Sequence, residues 1–394
     1  MKIGLALSGG GVRATVFHLG LLARLARSKM LEEVSHVSTV SGGSLAIGLV
    51  FSLNQNKWPA SESFLADTLP KAKSILTRHS LEKAYMWRLI GNAWKLRRGR
   101  ASVLADALRR IWGLSGQLQD LPDNPRWVIN ATTFETGKRW GFSKKWMGDY
   151  KADYVLAPTF PLADAVSASA GFPGVIGPLV VNCRDYQWHH LTFSRDDEEP
   201  TKVEAVESRF KRLFLWDGGV YENLGTEAIF KPKSGFRHKI NFGIVSDASA
   251  FLNEERHRFK FSFFPWEIYT PPNRLISIAS DQVRGLRARQ FVAHLAQHPE
   301  CGAYCKIGNT NAQILQDAAE FLEGVSANPP KLSITQENAA LAGSAAAFPT
   351  RLCKLKKNEY DFLFQHGYEV ADATLSCFCG SSFTPVPYSG HSSG

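Results

Sequence analysis

Three consecutive glycines lie directly between a short apolar run and a helical pattern in L-A-L-S-G-G-G-V-R-A-T-V-F-H-L-G, Leu5 to Gly20. The run Ile3 to Leu7 is brief and bounded by turn residues, which suits a buried strand, and beyond Val12 the residues Val16, Leu19 and Leu22 share one helical face. The order is strand, glycine loop, helix. Glycine reaches backbone angles closed to other residues and leaves its N–H unshielded, so the loop offers bare donors beside a helix N-terminus, where the dipole favours negative charge. An anion belongs there, either a bound phosphate or an oxyanion that exists only during a reaction.

A phosphate-cradling loop ends in Lys followed by Ser or Thr, whereas this one continues Arg13, Ala14, Thr15. Gly9, Gly11 and Ala14 meet a dinucleotide spacing, G-x-G-x-x-A, but the expected acidic residue is misplaced: Glu32 and Glu33 precede the next apolar stretch instead of ending it. That stretch, H-V-S-T-V-S-G-G-S-L-A-I-G-L-V-F from His36 to Phe51, again reads as strand, tight turn and helix, with Leu45, Gly48 and Leu49 continuing the helical face. Ser41 stands at the turn. A serine on a sharp strand-to-helix turn needs small residues two before and two after it, here Thr39 and Gly43, and T-x-S-x-G is one step from the G-x-S-x-G nucleophile elbow. The bland alternative is a helix cap, and Ser44 is a competing hydroxyl one turn into the helix. A nucleophile needs a base within reach. In R-L-F-L-W-D-G-G-V-Y-E-N-L-G, Arg212 to Gly225, Leu213 to Trp216 reads as a strand with Asp217 at its carboxyl end. Alone, D-G-G is a turn. The glycine loop, Ser41 and Asp217 are nonetheless all placed at carboxyl ends of expected strands, the edge where open α/β sheets gather ligands.

These residues resemble the patatin-like phospholipase family, whose pattern is a G-G-G-x-R/K oxyanion loop, a G-x-S-x-G elbow and a D-G-G/A turn. Gly9, Gly10, Gly11, Val12 and Arg13 match the loop, Ser41 the nucleophile and Asp217 the second member of a catalytic dyad. The blocks N-A-T-T-F-E-T-G-K-R-W-G-F-S from Asn130, A-S-A-G-F-P-G-V-I-G-P-L from Ala168 and H-G-Y-E-V-A-D-A-T-L from His366 are similar to the bacterial branch of the family. The resemblance implies an α/β fold, a central, mostly parallel sheet flanked by helices in a three-layer sandwich. It also implies a lipid acyl hydrolase acting through a Ser41 acyl-enzyme with Asp217 as base, without metal, cofactor or essential histidine. Three positions depart from the pattern: Ser8 replaces the aspartate that opens the loop in plant members, Ala14 replaces the last glycine, and Thr39 replaces the first elbow glycine. The branched Thr39 side chain is expected to strain the turn. Arg13 is read as a cation for an anionic head group, as a brace for the loop, or simply as a surface residue of the helix's first turn. His18 is expected as a packed residue, while His189, His190 and His366 receive no role. Cys301, Cys305, Cys377 and Cys379 have spacings poorly suited to a structural zinc site, so the six cysteines are expected as free thiols.

The dispersion of Gly9, Ser41 and Asp217 argues for one catalytic domain over residues 1–376, with a charged surface insertion near 184–210 and a flexible tail over 377–394. G-V-S-A-N-P-P, 324–330, reads as a linker. No apolar run approaches the ~18 residues of a membrane span, and a cleaved signal would remove the catalytic loop. The expected location is the cytoplasm, peripheral at the inner membrane face. Lys and Arg number 46 against 36 Asp and Glu, which calls for an acidic partner. Basic residues interleave with Tyr85, Trp87 and Trp94 between Lys71 and Arg110, as in a helix lying on an anionic membrane or one packing its tryptophans inward. Phe259 to Pro272 is expected as a lid or interfacial loop. Nucleic acid is disfavoured, since no recognition motif accompanies the charge. Two further readings remain: a silent anion- or nucleotide-binding protein on the same scaffold, and a membrane-degrading effector held closed until a ligand acts.

Overall fold

A computed structural model of the chain describes residues 1–91, 99–173, 176–193, 200–249, 272–321 and 336–389. The linker at 324–330 and nearly all of the lid segment 259–272 lie outside the described residues, as does 92–98 of the basic stretch. Strands β1 (Ile3–Leu7), β2 (Val34–Val40) and β3 (Arg126–Thr133) are joined through helices α1 (Gly11–Arg27) and α2 (Gly42–Leu53). An antiparallel series follows: β4 (Arg139–Phe142), β5 (Trp146–Asp149), β6 (Asp153–Leu156), β7 (Leu179–Asn182), β8 (Trp188–Thr192), β9 (Lys202–Val206) and β10 (Arg212–Asp217). A small hairpin, β11 (Phe230–Lys231) and β12 (Gly235–Phe236), precedes β13 (Phe242–Asp247) and β14 (Gly302–Lys306). The main sheet runs β14-β13-β1-β2-β3-β4-β5-β6-β8-β9. The five strands at one end, β14 to β3, are parallel, and every pairing beyond β3 is antiparallel.

Strands β1, β2 and β13 are buried along their whole length; β1 is apolar throughout, whereas β2 and β13 carry buried polar residues such as Ser38, Thr39 and Asp247 between their apolar ones. Alternation along β1 divides them: Ile3, Leu5 and Leu7 join the larger core with α1, α2 and the helix Lys357–Phe378, whereas Ala6 and Val245 join a second core with Phe291 and Leu295 of the helix Pro272–Gln297. Two apolar faces covered by helices make the three layers. The helix Lys357–Phe378 approaches α1 closely: a Cβ at Gly367 would lie 2.2 Å from the Phe17 carbonyl oxygen.

Two expectations about segments differ from the structure. The charged stretch near 184–210 contributes β8 and β9, the terminal hairpin of the sheet, because Trp188 and Leu191 have an apolar face to bury. The segment expected as a flexible tail packs through Tyr388. Phe383 is buried, Arg24 donates to the Thr384 carbonyl (2.7 Å), and the Val386 N–H reaches Asp372 (2.8 Å). Residues 390–394 lie outside the described residues. The basic stretch includes the helix Leu81–Gly91, which buries Tyr85 but leaves Trp87 76% exposed, so that tryptophan faces outward. Among the described residues no helix is long and apolar enough to cross a membrane.

Candidate active site

Strand β2 pairs with β3 as far as Val40 opposite Asn130 and then turns sharply into α2. Strand β10 occupies the same edge of β3 from the other direction, ending with Asp217 opposite Ala131. Two strands thus meet end to end on adjacent rungs. The residue after one is Ser41 and the last residue of the other is Asp217. Asp217 does lie at its strand's carboxyl end, but that strand is antiparallel to β3, so it meets the carboxyl edge of the parallel sheet from above.

Ser41 has φ 48° and ψ −111°, a left-handed conformation that a side chain rarely adopts and that a sharp elbow requires. Gly43 permits it, since a Cβ there would lie 2.4 Å from the Leu7 carbonyl oxygen. Thr39 does not crowd the turn as expected. Its hydroxyl accepts from Trp127 Nε1 (2.9 Å) and pairs with Ser44 Oγ (2.8 Å), which pairs with Ser169 Oγ (2.8 Å), which accepts the Ser41 N–H (3.0 Å). This buried chain of hydroxyls holds the elbow from beneath, and it engages Ser44, which is fully buried, away from solvent.

Asp217 is buried, accepts the Gly219 N–H at 2.7 Å and faces the Ser41 hydroxyl. Burial pushes its pKa up to about 7; the hydrogen bonds from Gly219 and Ser41 pull the other way without cancelling that push. Thr132 donates to the Asp217 carbonyl (2.8 Å), and Asn223, which sequence reasoning passed over within Y-E-N-L-G, joins the two halves of the site. Its carbonyl accepts the Gly9 N–H (3.1 Å), and its side chain donates to Ser249 (2.8 Å).

The five loop residues do different work. The N–H of Gly9 is engaged by Asn223 and that of Val12 by the Arg351 carbonyl (2.9 Å), so neither points to an incoming oxyanion. Among the described residues the Gly10 and Gly11 N–H groups have no such partner, and Gly10 has φ 145°, open to glycine alone. Gly42, the first residue of α2, adds a third helix-terminal N–H beside them. Arg13 corrects the expectation of a cation for a head group. It is buried, with Nε and Nη2 on the Ala248 carbonyl (3.1 and 3.0 Å) and Nη1 on the Phe348 carbonyl (2.6 Å), and burial lowers its pKa to about 10. It ties the loop to distant chain segments.

His18 lies beneath the loop, between Ser246 Oγ (2.8 Å) and the Ser8 carbonyl (2.9 Å), and burial lowers its pKa to about 4, which leaves it neutral. The other histidines are elsewhere: His189 and His190 on β8, the latter with Asp153 at 2.8 Å, and His366 buried with Nε2 accepting the Gly308 N–H. The six cysteines are free, Cys379 donating to the Gly302 carbonyl (3.1 Å), and no cluster of three metal-ligating side chains occurs among the described residues.

This fold and this elbow define the patatin class, and the comparisons agree. The family model for patatin-like phospholipases matches residues 5–230, more than half of the chain, and the chain belongs to that family. Among solved structures it is similar to human GIVD cytosolic phospholipase A2, with a TM-score of 0.53 at 13% identity over 96% of this chain and 59% of that one. The same human enzyme in complex with methyl gamma-linolenyl fluorophosphonate gives 0.51 at 13% identity over 97% and 58%. VipD from Legionella pneumophila is matched more loosely, with a TM-score of 0.32 at 14% identity over 95% and 67%. At such identities the human structures show a shared fold, and this chain spans less than two thirds of their length. No curated protein matches the chain.

Proposed function

We propose that this patatin-like phospholipase is a serine lipid acyl hydrolase that uses Ser41 as nucleophile and Asp217 as base. The observation that carries the reading is the placement of the Asp217 carboxyl, buried and facing the hydroxyl of a serine in strained elbow geometry. Ser41 Oγ attacks the ester carbonyl as its proton passes to the Asp217 carboxylate. The oxyanion sits on the Gly10 and Gly11 N–H groups. Collapse of the tetrahedral intermediate expels the lipid alcohol, which takes the proton from Asp217, and leaves the acyl-enzyme. Water then attacks, again giving a proton to Asp217, and the fatty acid leaves as Ser41 recovers the proton. A carboxylate that titrates near neutrality suits this double duty as acid and base.

Access to lipid fits the outer surface. Met86, Trp87, Phe172, Val220 and Leu275 are large apolar side chains left exposed. Phe172 and Val220 flank the dyad in sequence and space: the Gly171 carbonyl accepts the Asp217 N–H (3.2 Å), and Val220 follows Asp217 by three residues. Tyr85, beside Met86, reaches the Ile176 carbonyl at 3.4 Å. Exposed apolar side chains, two of them beside the dyad, in a chain of net charge +10 suit peripheral docking on an anionic membrane at the cytoplasmic face.

The test is labelling with a fluorescent fluorophosphonate, with and without anionic vesicles. Wild type is expected to label, Ser44→Ala to label more slowly because it breaks the hydroxyl chain beneath the elbow, and Ser41→Ala and Asp217→Asn to fail. Labelling that persists in Ser41→Ala, or an unlabelled wild type in the presence of vesicles, overturns the reading in favour of a binding protein.

A further inference from the structure

A cavity of about 960 Å³ lies away from Ser41 and Asp217. Its floor is the amino end of β3, where Arg126 pairs with His36 of β2, and its walls come from β5, β6 and the β11–β12 hairpin. Asp217 stands opposite Ala131, five rungs along the same strand, a separation of roughly 16 Å at 3.3 Å per residue.

Arginine and lysine supply six of the lining residues, and Glu227 is the single carboxylate among them. That carboxylate is already shared. Arg287 Nη2 holds it at 2.9 Å, Arg139 Nε lies 4.0 Å away, and Tyr221 donates to it at 2.9 Å. The positive excess is felt by its neighbours. His36 and His238 stack at 4.8 Å, and burial together with nearby arginines lowers both to about 3. Arg237 is lowered by burial and by Arg139, and Lys231 by burial and by Arg237. Cations gathered around one cavity repel, and an anion seated among them removes the repulsion.

One side of the cavity is aromatic. Trp146 packs edge-on against Tyr154 (5.4 Å) and Tyr154 against Phe193 (6.1 Å), while Tyr150 is 60% exposed with Lys138 Nζ 5.6 Å above its ring. One exposed ring, Tyr150, and the half-buried Trp146 beside several cations match a ligand that has both a planar ring and phosphates, and the volume is in the range of small-molecule sites. From this juxtaposition of six cations, one carboxylate and an aromatic wall, we propose that the cavity binds a soluble nucleotide, with its phosphates among Lys231, Lys233, Arg237 and Arg287 and its base against Tyr150 and Trp146. The site stands whether or not Ser41 is a nucleophile.

Isothermal titration with ATP, pyrophosphate and adenosine, alongside pelleting with vesicles containing phosphatidylinositol 4-phosphate, tests it on the full chain. ATP is expected to bind about tenfold more tightly than pyrophosphate, the scale of one base stack, and adenosine not at all. The double variant Lys231→Glu, Lys233→Glu should weaken ATP and pyrophosphate alike by at least about tenfold, the scale of a charge-assisted contact. Tyr150→Ala should weaken ATP and leave pyrophosphate unchanged. All three side chains are exposed, so the variants should keep the wild-type circular dichroism spectrum. Absence of ATP binding at millimolar concentration overturns the proposal. So does equal affinity for ATP and pyrophosphate, which marks a site for phosphate alone, or binding confined to the vesicles, which marks a lipid head group.

Discussion

Asp217 keeps its carboxyl in the interior, and the consequences for rate and for stability have opposite signs. As the proposed base it works only when ionised, and its pKa is pushed up to about 7. The rate of fluorophosphonate inactivation should therefore rise about tenfold per pH unit below about 7 and level off above it. Stability runs the other way. The folded pKa lies above the ordinary carboxylate value of 3.8, so the protonated group costs nothing below about pH 4, and stability is lost as pH rises from there through 7. Asp217→Asn, which stays neutral, should match wild type in urea unfolding near pH 4 and exceed it above pH 7. The ceiling is about 4 kcal/mol at about 1.36 kcal/mol per pKa unit. Thr39 allows a second measurement. Thr39→Val keeps the shape but leaves Trp127 Nε1 and Ser44 short of a partner, a loss of about 1–3 kcal/mol, whereas Thr39→Ser should lose much less. Ser41 and Asp217 were legible because turn chemistry is local. The true part played by Thr39 was hidden, because Trp127, which donates to it, and Ser169, which ends its hydroxyl chain, belong to distant segments.

Among the elements, the meeting of β2 and β10 on one edge of β3 does most to make the site. Each strand is predictable from its apolar run, but β10 reaches β3 antiparallel, a pairing that no local pattern announces. The glycine loop depends on similar long-range ties. Arg13 holds Ala248 and Phe348 together with a three-nitrogen fork, and a lysine has one nitrogen to offer. Arg13→Lys should slow labelling of Ser41 at saturating probe while leaving the helical content unchanged by circular dichroism. The contact of α1 with the helix Lys357–Phe378 is equally tight. Gly367→Ala places a methyl against the Phe17 carbonyl and should cost about 1–3 kcal/mol or more in urea unfolding, as overpacking does.

For the whole molecule, the proposed membrane contact rests on two separable forces, the excess of 46 basic over 36 acidic residues and exposed apolar side chains such as Trp87. Binding to anionic vesicles should weaken as salt rises toward the screening range. Trp87→Ala should weaken it at every salt concentration, and a variant bound as tightly as wild type would remove Trp87 from the interface. The amino-acid sequence by itself determined the strand–loop–helix unit at Gly9–Gly11, the elbow at Ser41 and the turn at Asp217, because each depends on neighbours a few residues away and on the backbone freedom of glycine. Tertiary structure alone decided which loop N–H groups remain open, what Arg13 grips, how the residues after Cys377 pack, and where six cations gather around one carboxylate. Those outcomes depend on hydrogen bonds and charges brought together from segments up to hundreds of residues apart, and only the assembled fold sets their distances.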